Sequence, residues 1–154
     1  MMELNGNIIS DGPWGGRGGG EWDDGSHSTV KRLIISHGWV IDSIEVEYGD
    51  DEGRSVSHGR HGGGGGTRSE IDLDYPDEFI TAIHVTYGTF VWLPVVKAVH
   101  TLEIETNRRR YGPFGFGTGR RSFTYRAANG MIVGFHGTSG SFLNSIGVHV
   151  RPLH

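Results

Sequence analysis

The chain has no cysteine. That excludes disulfide bridges, thiolate chemistry and cysteine-built zinc sites. It also lacks an excess of positive charge: 14 lysines and arginines stand against 18 aspartates and glutamates, for a formal net charge of −4. Such a balance gives no electrostatic basis for holding nucleic acid or an anionic membrane surface, so neither is expected as a partner. No run approaches the roughly 18 apolar residues of a membrane-spanning helix, and no membrane insertion is expected. Met1–Ser10 lacks the basic start and apolar stretch of a signal peptide, so the expectation is a cytoplasmic protein, with the nucleus also open to it. Nine histidines are present, but no pair has a strong zinc spacing with partner ligands. No metal and no cofactor are therefore expected. A helix is missing as well, because no window of 11 or more residues free of glycine shows an apolar period of about 3.6.

Glycine is abundant: 27 of 154 residues, more than twice the roughly 7% of an average protein. The glycines gather at Pro13–Gly20, His61–Thr67 and Tyr111–Gly119, which calls for a backbone reason such as positive φ or close approach of a ligand. Three segments share a pattern of apolar, polar, small, Ile, then alternation. They are Ile41-Asp42-Ser43-Ile44-Glu45-Val46-Glu47-Tyr48, Ile80–Tyr87 and Leu143–Val150. Ile44, Val46 and Tyr48 fall on one face, as do Ile83, Val85, Tyr87 and Ile146, Val148, Val150, which is the period of a half-buried strand. Glu45, Glu47, His84, Thr86 and His149 are assigned to the solvent face. Further strands are expected at Val30–Ser36, Ala98–Thr106, Arg121–Arg126 and Met131–Phe135, with turns at His37-Gly38, 49–53 and Asn129-Gly130. The reading is all-β: three units of about four short strands burying their apolar faces around a common axis. A two-sheet sandwich is the alternative, and threefold repetition argues against it.

At this point the residues resemble a known family. Gly12-Pro13-Trp14-Gly15-Gly16, Tyr111-Gly112-Pro113-Phe114-Gly115 and Phe142-Leu143-Asn144-Ser145-Ile146-Gly147 are similar to segments of jacalin-related lectins, in that order. The likeness runs over residues 5–152, with 1–4 as an extension ahead of it. It implies a β-prism I of three four-stranded Greek-key sheets with pseudo-threefold symmetry. It also implies reversible, metal-independent binding of mannose- or glucose-type sugars on glycans, no catalysis, and a homodimer. The uncleaved, mannose-binding branch fits best, because the chain runs unbroken through Gly15; a galactose-tolerant lectin remains an alternative. So does a prism kept as a protein-interaction module with sugar binding weakened or lost. A glycosidase would need two carboxylates across a cleft, and the strand pattern puts Glu45, Glu47, Asp72 and Asp74 toward solvent.

The family's site is a Gly-x-x-x-Asp loop facing a Gly-Gly loop. Carried over, Gly38-Trp39-Val40-Ile41-Asp42 faces Gly62-Gly63. Asp42 is then the acceptor for two sugar hydroxyls, backbone groups of Trp39 and Val40 add hydrogen bonds, and Trp39 lies beside the sugar or a neighbouring unit. A carboxylate suits adjacent hydroxyls because both oxygens accept with charge assistance. The second copy, Gly140-Ser141-Phe142-Leu143-Asn144, faces Gly15-Gly16. It ends in an amide where the family has an acid, and the lost charge assistance is expected to cost about 1 kcal/mol or more. That site is expected to be weaker or altered in specificity. Asp77-Glu78-Phe79-Ile80-Thr81 is read as a third copy reduced to a structural remnant. Trp14, Trp22 and Trp92 are expected to pack rather than bind.

Overall fold

A computed structural model describes residues 7–89, 97–116 and 119–153. Twelve strands run in order: β1 (Ile9–Gly15), β2 (Gly20–Asp23), β3 (Thr29–His37), β4 (Ile41–Gly49), β5 (Ser55–Gly62), β6 (Thr67–Asp72), β7 (Ile80–Thr89), β8 (Lys97–Thr106), β9 (Arg110–Phe114), β10 (Arg121–Arg126), β11 (Gly130–Ser139) and β12 (Leu143–Pro152). They form three four-stranded antiparallel sheets with strand orders β1-β12-β11-β2, β5-β4-β3-β6 and β10-β7-β8-β9. The sheets are related by pseudo-threefold repetition, so β4, β8 and β12 are equivalent inner strands, as are β3, β7 and β11.

The alternation read from the sequence is what closes the prism. Ile44, Val46, Tyr48, Ile83, Val85, Ile146, Val148 and Val150 are all buried, and with Leu33, Ile35, Leu102, Ile104, Ile132 and Phe135 they make one core shared by the three sheets. Burying each such side chain contributes about 1.5–3 kcal/mol.

The sheets meet at three seams, each carrying a ring contact. Trp22 stacks on His61 at 3.9 Å between β2 and β5, and Trp14 stacks on Phe123 at 4.2 Å between β1 and β10. His37 meets Phe114 at 5.3 Å between the second and third sheets. Trp14 and Trp22 are thus packing residues, as expected; Trp92 lies outside the described residues. Near the first seam Asp24 is buried, its carboxylate accepting from the Tyr48 hydroxyl at 2.7 Å and lying 2.8 Å from His61 Nε2. Burial first, then the adjacent Asp24 charge, pushes the Tyr48 phenol far above its ordinary range.

The third copy of the repeat requires correction. Ile80–Tyr87 is β7, which occupies the place of β3 and β11, not of β4 and β12. The true equivalent is Val99-His100-Thr101-Leu102-Glu103-Ile104 on β8. Asp77–Thr81 is therefore no remnant of a binding loop: the start of β7 pairs with the end of β8, Ile80 against Thr106, at the opposite end of the sheet. There Glu78, 1% exposed, accepts from Thr106 Oγ1 at 2.6 Å and from the Tyr111 hydroxyl at 2.8 Å. His149 also departs from expectation. It is buried at 8% exposure, bonded to Ser10 Oγ and to Asp23 Oδ1, because β1 and β2 flank its sheet and cover it.

Candidate functional site

One irregularity recurs in all three sheets and aims the side chains that matter. In the first hairpin the pairing steps from Ser36↔Ser43 to His37↔Ile41, leaving Asp42 as the extra residue of a β-bulge. In the last it steps from Thr138↔Ser145 to Ser139↔Leu143, leaving Asn144. In the middle one it steps from Thr86↔Thr101 to Tyr87↔Val99, leaving His100. A bulge frees one residue from the ladder and redirects its side chain. Asp42, Asn144 and His100 are thus three versions of one position at one end of the prism.

The loops around the first two follow the same plan. Gly38 N–H donates to the Val40 carbonyl at 2.9 Å, and Gly140 N–H donates to the Phe142 carbonyl at 2.9 Å. Gly63 N–H donates to the Asp42 carbonyl and Gly16 N–H to that of Asn144, both at 2.9 Å. The pairing of Asp42 with Gly62-Gly63, and of Asn144 with Gly15-Gly16, is the one the family resemblance implied. Gly62 and Gly15 take φ of +126° and +136°, and a Cβ on either would lie 2.2 or 2.3 Å from the facing carbonyl oxygen, so only glycine fits. Val40 is buried, and its carbonyl accepts from the Gly38 N–H.

The sequence reading missed which glycines face the functional atoms. Gly62 and Gly63 hold the Asp42 backbone, whereas Gly65 and Gly66 line its carboxylate. A Cβ on Gly65 would stand 3.0 Å from Asp42 Oδ2, and one on Gly66 2.6 Å from Oδ1. Gly18 and Gly19 play the same part at Asn144, 3.1 Å from Nδ2 and 2.7 Å from Oδ1 by the same measure. The length of each glycine-rich segment is the signal that carried this: five glycines at Gly62–Gly66, and five among the six residues of Gly15–Gly20, are more than one carbonyl needs. His37 was also unassigned. It adjoins the carboxylate, and its ring bonds to Ser69 Oγ at 2.8 Å.

The side chains themselves differ. Asp42 is half-buried, yet its carboxylate accepts no hydrogen bond from any described residue. Burial raises its pKa above the ordinary carboxylate value, with His37 pulling weakly the other way. Asn144 is 5% exposed, and its amide is already engaged: Nδ2 donates to the Lys97 carbonyl at 2.7 Å. His100 is buried, with no partner for either ring nitrogen among the described residues. A neutral imidazole offers one acceptor where Asp42 offers two charged oxygens.

The other predicted members fall in place around these. Trp39 stands exposed at the tip of the Asp42 loop, and Ser141 and Phe142 form the tip of the Asn144 loop. Glu45 and Glu47 lie on the outer face of β4, and among the described residues no group of three acidic or histidine side chains is arranged to hold a metal. Arg108, Arg109 and Arg110 pair with Asp74, Glu78, Glu103 and Glu105 rather than forming a free basic patch.

Comparison with known proteins agrees with this geometry. The jacalin-like lectin domain family matches residues 11–149. Jacalin-related lectin 3 of Arabidopsis thaliana is 45% identical over 97% of the chain, which spans 25% of that protein. The mannose/glucose-specific lectin of Parkia platycephala is 33% identical over 94% of the chain, which spans 32% of its length. The chain thus corresponds to a quarter to a third of these longer relatives. Among solved structures, an artocarpin–mannotriose complex superposes with a TM-score of 0.87 at 34% identity, covering 94% of this chain and 97% of artocarpin. With the three-sheet prism, the repeated bulge and this match, the chain belongs to the jacalin-like lectin domain family, a non-catalytic carbohydrate-binding family.

Proposed function

We propose that the protein reversibly binds mannose- or glucose-type hexoses without a metal ion, and that the Asp42 corner is its principal site. The observation that carries this reading is the state of the Asp42 carboxylate. Two charged acceptor oxygens are held partly out of water, walled by Gly65 and Gly66, and given no hydrogen-bond donor by any described residue. Withholding solvent and partners from a charge is unfavourable unless a ligand supplies donors. Adjacent ring hydroxyls supply two, and each charge-assisted bond is worth about 1.5–3 kcal/mol. The Val40 N–H adds a donor at the same tip. The choice of sugar draws support from a relative named as mannose/glucose-specific and from artocarpin, solved with mannotriose bound.

On this reading the Asn144 corner is the weaker site. Its amide lacks charge, and one of its donors is spent on Lys97. A homodimer and a cytoplasmic location belong to the same reading; sedimentation and cell fractionation test them. The sugar assignment is tested by calorimetric titration with methyl α-mannoside, methyl α-glucoside and methyl α-galactoside. The first two are expected to bind and the third to bind at least tenfold more weakly. Galactoside binding equal to mannoside would refute the choice of sugar.

A further inference from the structure

Five large apolar side chains are exposed among the described residues, and two of them touch. Trp39 is 57% exposed and Phe116 70%, with rings edge to face and centroids 4.9 Å apart. The pair stands on a fixed base. Two residues earlier in each segment, His37 and Phe114 are already in ring contact. Gly115, at φ +96°, is pressed so close to β8 that a Cβ there would lie 2.1 Å from the His100 carbonyl oxygen.

Pseudo-threefold repetition gives this seam two counterparts. At each, the residue after a left-handed glycine meets the second residue of the neighbouring sheet's loop: Gly16 against Lys97, Gly63 against Ser141, and Phe116 against Trp39. At the first two a Cβ would come within 2.1 and 2.2 Å of the neighbour, so glycine is required. At the third the chain instead places two of its largest side chains, each more than half exposed. The exposed part of that apolar area contributes none of the roughly 25 cal/mol/Å² that burial would.

We propose that Trp39 and Phe116 form a stacking platform for the second sugar residue of an oligosaccharide whose terminal hexose is held at Asp42, an inference that rests on the reading of Asp42 given above. The platform is continuous with that site. Trp39 lies three residues before Asp42, in the loop closed by the Gly38–Val40 hydrogen bond. A pyranose has a C–H face that packs on the π-face of an aromatic ring. The counterparts at the Asn144 corner, Ser141 and Gly63, offer no such surface. The platform therefore makes the Asp42 corner selective for chains over single sugars.

Calorimetric titration of the full chain with methyl α-mannoside and with a linear mannotriose tests this, using Phe116→Gly to install the residue found at the other two seams. The wild type is expected to prefer mannotriose by roughly five- to tenfold, the scale of one aromatic contact. Phe116→Gly is expected to bring that preference within about twofold while methyl α-mannoside affinity stays unchanged. Mannotriose, but not methyl α-mannoside, is expected to shield an indole from acrylamide quenching, and Trp39→Phe to abolish the shielding. A mannotriose preference that survives Phe116→Gly overturns the platform and leaves the lectin reading standing. Failure of the wild type to bind either sugar overturns both. Conversion of a dimer to a monomer by Phe116→Gly overturns it as well, since the pair would then be an interface between copies.

Discussion

The Asp42 and Asn144 corners share a bulge, a loop hydrogen bond and a facing glycine run, and differ in what their side chains are bonded to. Asn144 is satisfied from within: its amide donates to Lys97 O and helps tie its loop to the third sheet. Asp42 accepts no hydrogen bond from any described residue, and its charge is disfavoured by burial and eased by the nearby His37. The same backbone thus serves a structural clasp at one corner and an open acceptor at the other. The bonding capacity that the described residues leave open at Asp42 is held at some cost to the stability of the fold.

Asp42→Ala is expected to have the largest effect on the difference between the two corners. Removing both charged acceptors is expected to lower methyl α-mannoside affinity about a hundredfold at that corner, leaving only weak residual binding by calorimetry. Asp42→Asn, by contrast, is expected to lower affinity and raise Tm, since it removes a charge that the folded state disfavours.

Next in size is a contrast inside one glycine run. Gly66→Ala forces a Cβ against Asp42 Oδ1 and the His37 nitrogen at φ +87°. Affinity is expected to fall at least tenfold, with about 1–3 kcal/mol of destabilisation in urea unfolding. At Gly64 a Cβ comes no closer than 3.8 Å, to the flexible end of Arg60, and Gly64→Ala is expected to change neither quantity measurably.

A pH titration separates binding from folding. Because burial raises the Asp42 pKa, its neutral form is favoured in the fold. Acidification therefore relieves the fold and disables the acceptor, and affinity is expected to fall at a pH above the ordinary carboxylate range. Glu105 behaves oppositely. Hydrogen bonds from Arg126 and His84 lower it to about 2, so its contribution to stability persists above the ordinary range and is lost as pH falls toward about 2. Sugar affinity is thus expected to disappear while circular dichroism still reports a folded prism.

The smallest effect on binding is expected from Asn144→Asp. It sets an anionic oxygen against the Lys97 carbonyl, and about 1–2 kcal/mol of stability is expected to be lost. Methyl α-mannoside affinity at the Asp42 corner is expected to hold within twofold.

What the sequence showed and what it hid follow from the same features. The inner strands were legible because Ile44-x-Val46-x-Tyr48 and Ile146-x-Val148-x-Val150 face the core on one side only. The edge strands β1, β2, β5, β6 and β9 were not, since they are short, rich in polar residues and glycine, and largely exposed. The bulge itself left a mark: Ile41 and Ile44 are both buried although three residues apart, which breaks the two-residue period at Asp42. The same break occurs at Val99 and Leu102 on β8, but also at Ile80 and Ile83 on β7, so the pattern alone does not separate the third copy from Ile80–Tyr87, which occupies another strand position. Asp42 and Asn144 were found through the family likeness. Their unequal bonding was not visible in the sequence, because Lys97 is 47 residues from Asn144 and meets it only when the third sheet docks.

The most direct test is a crystal structure of the protein soaked in methyl α-mannoside near the dissociation constant measured in solution. A hexose is expected at the Asp42 corner with two ring hydroxyls on the carboxylate, and lower occupancy at Asn144. A sugar bound at Asn144 alone, with Asp42 turned to a protein donor, would contradict this expectation.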